Sequence, residues 1–77
     1  MRFSNETELY QVIGSNIKFF REQANLTQIQ LADKTQISIS YLSKLEASGC
    51  NKSLSISVLN HIANTLGVDI TDFFMRR

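Results

Sequence analysis

The chain has no proline, three glycines and one cysteine among its 77 residues. Without proline the strongest helix breaker is missing, so the backbone allows long helical stretches. A lone Cys50 closes no internal disulfide, which points to a reducing, cytoplasmic setting. Long apolar runs are missing too. Phe19-Phe20 and Phe73-Phe74-Met75 fall far short of the roughly 20 residues that span a bilayer, so no membrane partner is expected. The opening stretch from Met1 to Glu6 lacks the apolar core of a secretion signal. An excess of one charge is also absent: eight Lys and Arg against seven Asp and Glu leave a net charge of +1. That balance argues only weakly for a polyanionic partner. The charges are unevenly spread, however. Glu6, Glu8, Asp69 and Asp72 sit near the ends, while Lys18, Arg21, Lys34, Lys44 and Lys52 lie between them, so a mildly basic face is compatible with the total.

What is present is ordinary globular composition, 43% hydrophobic and 19% charged, in a length that suits one domain. Leu9, Val12, Ile13, Ile17, Phe20 and Ala24 recur at steps of three and four, the spacing of one helix face. Asn5 and Glu8 have capping-box spacing, which predicts a first helix from about Glu6 to Gln23. Gly14 weakens that helix by about 1 kcal/mol relative to alanine. Residues 1–12 are therefore either an N-terminal extension or the start of helix 1, and residues 13–77 form the domain proper. Thr27 and Gln30 repeat the capping pattern and predict a second helix from Gln28 to about Lys34, with Ile29 or Leu31 facing inward beside Ala32. Thr35-Gln36-Ile37 reads as a turn. Ser38 offers an N-cap for a third helix from Ile39 to Glu46, where Leu42 and Leu45 share a face with Ile37. Ala47 to Ser53 is the clearest loop. Ser55 caps a fourth helix bearing Ile56, Leu59, Ile62, Ala63 and Leu66, and Gly67 stands where a left-handed glycine ends a helix. Asp69 precedes a fifth, short helix with Ile70, Phe73 and Phe74. The pattern is all-α.

The second and third helices are short and joined by a few residues, as in a helix-turn-helix unit. In such a unit the second helix enters the major groove of duplex DNA, which is wide enough for one helix. A helix used there needs small polar side chains near its N-terminal end. Ser38, Ser40 and Ser43 meet that need, with Tyr41 and Lys44 as longer reaches.

At this point the sequence resembles the Cro/phage-repressor (Xre-like) helix-turn-helix family. Ile13-Gly14-Ser15-Asn16-Ile17-Lys18-Phe19-Phe20-Arg21 is similar to that family's first helix. Leu26-Thr27-Gln28 and Leu31-Ala32 resemble its second. Ile37-Ser38 and Tyr41-Leu42-Ser43-Lys44-Leu45-Glu46 resemble its turn and recognition helix. Leu59, Ile62-Ala63, Leu66-Gly67-Val68, Thr71-Asp72 and Phe73-Phe74 resemble its closing helices. The resemblance covers about residues 13 to 74 and implies a compact five-helix, lambda-repressor-like DNA-binding domain. It also implies roles at matching positions. Gln28, with its backbone amide, would hold a phosphate at the start of helix 2. Ser38, Ile39, Ser40, Tyr41, Ser43 and Lys44 would face the groove or its flanking phosphates. Ser40 and Lys44 are the base-edge candidates, Lys44 toward guanine; Tyr41 would touch phosphate or sugar, and Ile39 a thymine methyl. Asn51 and Lys52 would add phosphate contacts from the loop. Arg21 and Glu46 would form a partly buried ion pair that orients more than it stabilises.

Two positions depart from the family pattern. Gln36 stands where glycine is usual. Either it adopts a left-handed backbone, at about 1–2 kcal/mol, or the turn changes geometry and with it the tilt of helix 3. Leu54 stands where proline is frequent before helix 4, and the loop before it is slightly long.

The expected function is a sequence-specific transcriptional regulator binding double-stranded DNA, acting as a repressor. A homodimer on an inverted repeat is expected, with Ile70, Phe73 and Phe74 as its interface beyond what completes the core. In some relatives an acid at the Asp33 position touches RNA polymerase, so the polymerase or a regulatory protein is a further candidate partner, although a solvated helix residue is the favoured reading of Asp33. The rival class is a protein-interaction module, an antitoxin or adaptor using the same fold; the small net charge and the phenylalanine-rich end favour it. His61 reads as a surface histidine beside Ser57 and Asn64. Cys50 has no partner at zinc-site spacing, and Glu22, Asp33 and Glu46 do not form a catalytic set. No metal, cofactor or enzymatic activity is expected.

Overall fold

The computed structural model describes residues 2–48 and 54–77. These form four α-helices, α1 (Glu6–Gln23), α2 (Gln28–Thr35), α3 (Ile39–Ser48) and α4 (Ile56–Leu66), followed by a 3-10 helix, Ile70–Phe74. No strand occurs among the described residues. The fifth expected helix is thus a 3-10 segment, with amide bonds of the i to i−3 kind from Asp72 to the Asp69 carbonyl (2.9 Å) and from Met75 to the Asp72 carbonyl (3.5 Å).

Each start has a local cause. The Asn5 side chain accepts the Glu8 amide (2.9 Å), and the Glu8 carboxylate accepts the Ser4 amide (2.7 Å). That bond, joined by the Arg76 guanidinium at 3.0 Å, holds the Glu8 carboxyl below the usual carboxylate range. α1 continues unbroken through Gly14, which is buried among its neighbours. At α2, Thr27 Oγ1 accepts the Gln30 amide (3.1 Å) while Gln30 accepts the Thr27 amide (2.8 Å), a complete capping box. Ser38 Oγ accepts the Tyr41 amide and Ser55 Oγ the Val58 amide, each at 3.1 Å.

Three helices end on a left-handed residue. Asn25 (φ 59°), Gln36 (φ 60°) and Gly67 (φ 73°) hold these positions. In each case the following amide reaches back five residues: Leu26 to the Arg21 carbonyl, Ile37 to Ala32, and Val68 to Ala63. Gln36 therefore keeps the turn geometry that glycine usually provides. Its side-chain Nε2 donates to the Asp33 carbonyl at 2.7 Å.

The core draws on every element. Ile13 and Ile17 of α1, Leu31 of α2, Leu42 and Leu45 of α3, Leu59 and Ile62 of α4, and Phe73 of the 3-10 helix are buried together. Side chains of this size contribute about 1.5–3 kcal/mol each when fully buried. Of the two candidates in α2, Leu31 faces inward and Ile29 is 72% exposed. Phe73 is 0% exposed, so it has no surface to offer a second copy; its place at a dimer interface is corrected to a core position. Ile70 and Phe74 are half-buried against the same core.

The C-terminal residues are tied back to α1. The buried Asn16 donates through Nδ2 to the carbonyls of Phe73 (2.8 Å) and Met75 (2.7 Å), and its Oδ1 accepts Arg77 Nε (3.0 Å). The Arg77 guanidinium lies 4.5 Å from the ring centroids of both Phe19 and Phe20. Arg76 lies 4.6 Å from the Phe3 centroid and donates to the Arg2 carbonyl.

Candidate nucleic-acid interface

α2 and α3 are joined by the turn at Gln36-Ile37-Ser38, and the left-handed Gln36 redirects the chain between them. α3 has two unlike faces. Leu42 and Leu45 are fully buried and fix the helix to the core. Ser38 at the cap, with Ile39, Ser40, Ser43 and Lys44 on the helix, is exposed. Five of the sequence-predicted contact residues thus share the turn and the outer side of one helix. Tyr41 differs. It is half-buried and packed on the core with its hydroxyl oxygen buried, so the expected contact with phosphate or sugar is corrected to a support for α3. Asn51 and Lys52, and the Cys50 discussed above, lie outside the described residues.

The attitude of this helix is fixed from behind by an ion pair. Arg21 Nε and Nη2 donate to the two carboxylate oxygens of Glu46, at 2.7 and 3.0 Å. Arg21 Nη1 donates to the Leu26 carbonyl at 2.7 Å. Both charged residues are buried. The paired hydrogen bonds to Glu46 hold the Arg21 guanidinium above its already high pKa, against the opposing effect of burial. The end of α1, the segment entering α2 and the last turns of α3 are therefore locked into one polar junction.

Gln28 joins that junction. Its Nε2 donates to Glu46 Oε1 at 3.1 Å. A carboxylate only accepts, so the nitrogen of the carboxamide must be the atom facing it. The residue is half-buried at the first position of α2. The capping box occupies the amides of Thr27 and Gln30, and no partner among the described residues takes those of Gln28 and Ile29.

A second brace reaches the turn from α4. His61 Nε2 lies 3.0 Å from the Thr35 carbonyl, and since a carbonyl only accepts, Nε2 carries a proton. Thr35 is itself buried, its hydroxyl donating to the Leu31 carbonyl at 2.7 Å. His61 is exposed, as its polar neighbours suggested, but it also fastens α4 to the end of α2. That role and the Asn16 anchor were not evident in the sequence. Both join residues far apart in the chain, and neither leaves a local spacing signal.

Among the described residues no group of three or more His, Cys, Asp and Glu is placed to hold a metal ion, and no helix is long and apolar enough to cross a membrane. What the site presents chemically is a small, hydroxyl-rich helix face with one lysine, carried on a rigid frame.

Comparison with known proteins bears on this geometry. A model of the helix-turn-helix domain family matches residues 14–77. The immunity repressor protein of Bacillus phage phi105 is 41% identical over 59 residues, which cover 77% of this chain and 40% of the repressor. The clp gene regulator ClgR from C. glutamicum superposes with a TM-score of 0.79 at 29% identity, over 94% of this chain and 90% of that one. SinR, a master regulator for biofilm formation crystallised in complex with DNA, superposes with a TM-score of 0.74 at 28% identity, over 82% of this chain and 98% of that one. The chain spans about two fifths of the length of the curated relatives it matches.

Proposed function

The chain belongs to the helix-turn-helix family of the Cro/phage-repressor type, and on that footing we propose that it binds a specific double-stranded DNA site as a transcriptional repressor. The observation that carries this reading is the two-sided α3. Its inner side is anchored by Leu42, Leu45 and the Arg21–Glu46 pair, and its outer side offers Ser38, Ile39, Ser40, Ser43 and Lys44 to solvent. A rigid helix with short polar side chains is what the major groove admits. Ser40 and Lys44 read base edges in this scheme, Ile39 meets a thymine methyl, and Gln28, Asn51 and Lys52 serve phosphates or sugars. The crystallised SinR–DNA complex, similar over most of this chain, supports the assignment.

The protein acts as a homodimer on an inverted repeat in this reading. Ile70 and Phe74, half-buried, are the surface proposed for the second copy. Two-fold pairing sets the two copies of α3 about 34 Å apart, one turn of duplex. Asp33 is exposed, in keeping with the favoured reading of a solvated helix residue; a contact with RNA polymerase or a regulatory protein would fall there, beside exposed Ile29.

A titration of duplexes separates the roles. Lys44→Ala lowers the preference for the cognate site over unrelated duplex, by roughly tenfold, whereas Gln28→Ala weakens all duplexes alike. Both variants binding every duplex as the wild type does would remove the assignment. The rival reading, a protein-interaction module, draws on the net charge of +1 and the exposure of Ile29. Failure to be retained on heparin at low salt supports that rival.

A further inference from the structure

A small cleft of about 160 Å³ opens where α1, α2 and α3 meet, lined by Lys18, Gln28, Ser43, Glu46 and Ala47. We propose that this cleft seats one phosphate of the DNA backbone and that Lys18, from α1, supplies its charge. The inference rests on the DNA-binding reading above and adds to it a helix and a residue outside the helix-turn-helix unit.

Four observations converge on it. Lys18 is exposed and makes no ion pair or hydrogen bond among the described residues, so its ammonium is available. Ser43 is exposed on the α3 face that the duplex would meet, and its hydroxyl is a donor. Gln28 is held by Glu46 through one hydrogen of its Nε2, which leaves the second hydrogen of the same nitrogen as a donor beside the cleft. Glu46 is the one anion in the lining, and its charge is already matched by the two hydrogen bonds from Arg21. The cleft thus brings together an ammonium, a hydroxyl and a pre-oriented amide, with its carboxylate neutralised from behind. Such a donor set suits a phosphate oxygen, which only accepts. It does not suit a cation, because Lys18 repels one and the carboxylate is already paired with Arg21. Because α1 is tied to α3 by the Arg21–Glu46 pair, Lys18 moves with the recognition helix. A phosphate seated here fixes the depth of α3 in the groove while carrying no sequence information.

The test uses the full chain and a labelled mixed-sequence 30-base-pair duplex, with affinity measured across a salt series. Lys18→Gln is compared with Lys34→Gln, a neutralisation at an exposed residue of α2 outside the cleft, and with Lys18→Arg. The expected result is that Lys18→Gln weakens binding roughly three- to tenfold for any sequence and lowers the log–log salt slope by about one per bound chain. Lys34→Gln leaves the slope near that of the wild type, and Lys18→Arg restores it. Thermal unfolding of Lys18→Gln stays close to the wild type, because the side chain is exposed and makes no ion pair or hydrogen bond among the described residues. Wild-type binding with an unchanged slope in Lys18→Gln overturns the seat and leaves the DNA reading standing. A wild-type chain that binds no duplex at any salt overturns both.

Discussion

The turn between α2 and α3 and the turn after α4 close with the same pair of backbone hydrogen bonds, yet they are built from different residues. In one the left-handed position is held by Gln36, in the other by Gly67. Glycine adopts that backbone freely, whereas glutamine does so at about 1–2 kcal/mol. What differs is the surroundings. The Gln36 turn is fastened to α4 by the His61–Thr35 bond, its own side chain donates to the Asp33 carbonyl, and the two helices it joins are clamped at their far ends by the Arg21–Glu46–Gln28 junction. At Gly67 a side chain would meet nothing within 4 Å. The turn between α2 and α3 is thus strained and held in place, while the turn after α4 is relaxed and open. Strained backbone persists where neighbouring contacts over-determine it. This chain keeps the geometry of its helix-turn-helix without the residue that makes that geometry easy.

The comparison can be broken most forcefully at the junction. Glu46→Ala leaves the Arg21 guanidinium buried without its carboxylate and lowers the unfolding free energy by about 3–5 kcal/mol, measured by urea denaturation. A loss under about 1 kcal/mol would mean that α3 keeps its place without this clamp. The two turns can then be compared directly by exchange. Gly67→Ala destabilises by about 1–2 kcal/mol, purely through backbone conformation, because the added methyl has room. Gln36→Gly has the smaller effect and the opposite sign. It stabilises by about 0.5–1 kcal/mol, since relief of strain is partly offset by the freer unfolded chain and by the lost bond to Asp33. Destabilisation by Gln36→Gly contradicts the strain account.

The parts of this fold that were legible in the sequence are those decided within a few residues. The capping oxygens of Asn5, Thr27, Ser38 and Ser55 marked helix starts because a cap acts over three positions. Gly67 marked an end for the same reason. The Arg21–Glu46 pair was available through family resemblance, not through spacing. Features decided by tertiary docking were hidden. Asn16 looks like any polar residue of α1 until the carbonyls of Phe73 and Met75 arrive from 57 and 59 residues away. Five residues are too few for periodicity to separate a 3-10 from an α-helix, so the sequence marks a short last helix without its type. Within it, only docking on α1 and α4 decides that Phe73 is sealed in the core while Ile70 and Phe74 remain half-exposed. Of the candidate interface, the hydroxyl-rich face of α3 was legible from composition. The withdrawal of Tyr41 onto the core and the attachment of Gln28 to Glu46 were not, because both depend on the crossing of α2 and α3.

The most direct test of the central claim, that the outer face of α3 reads duplex DNA, is selection of bound duplexes from a random-sequence pool by the wild-type chain and by Lys44→Ala. The predicted outcome for the wild type is enrichment of an inverted repeat with half-sites about one helical turn apart, containing a guanine that Lys44→Ala no longer selects. Recovery of a pool no different from the input, or of the same motif unaltered by Lys44→Ala, contradicts it.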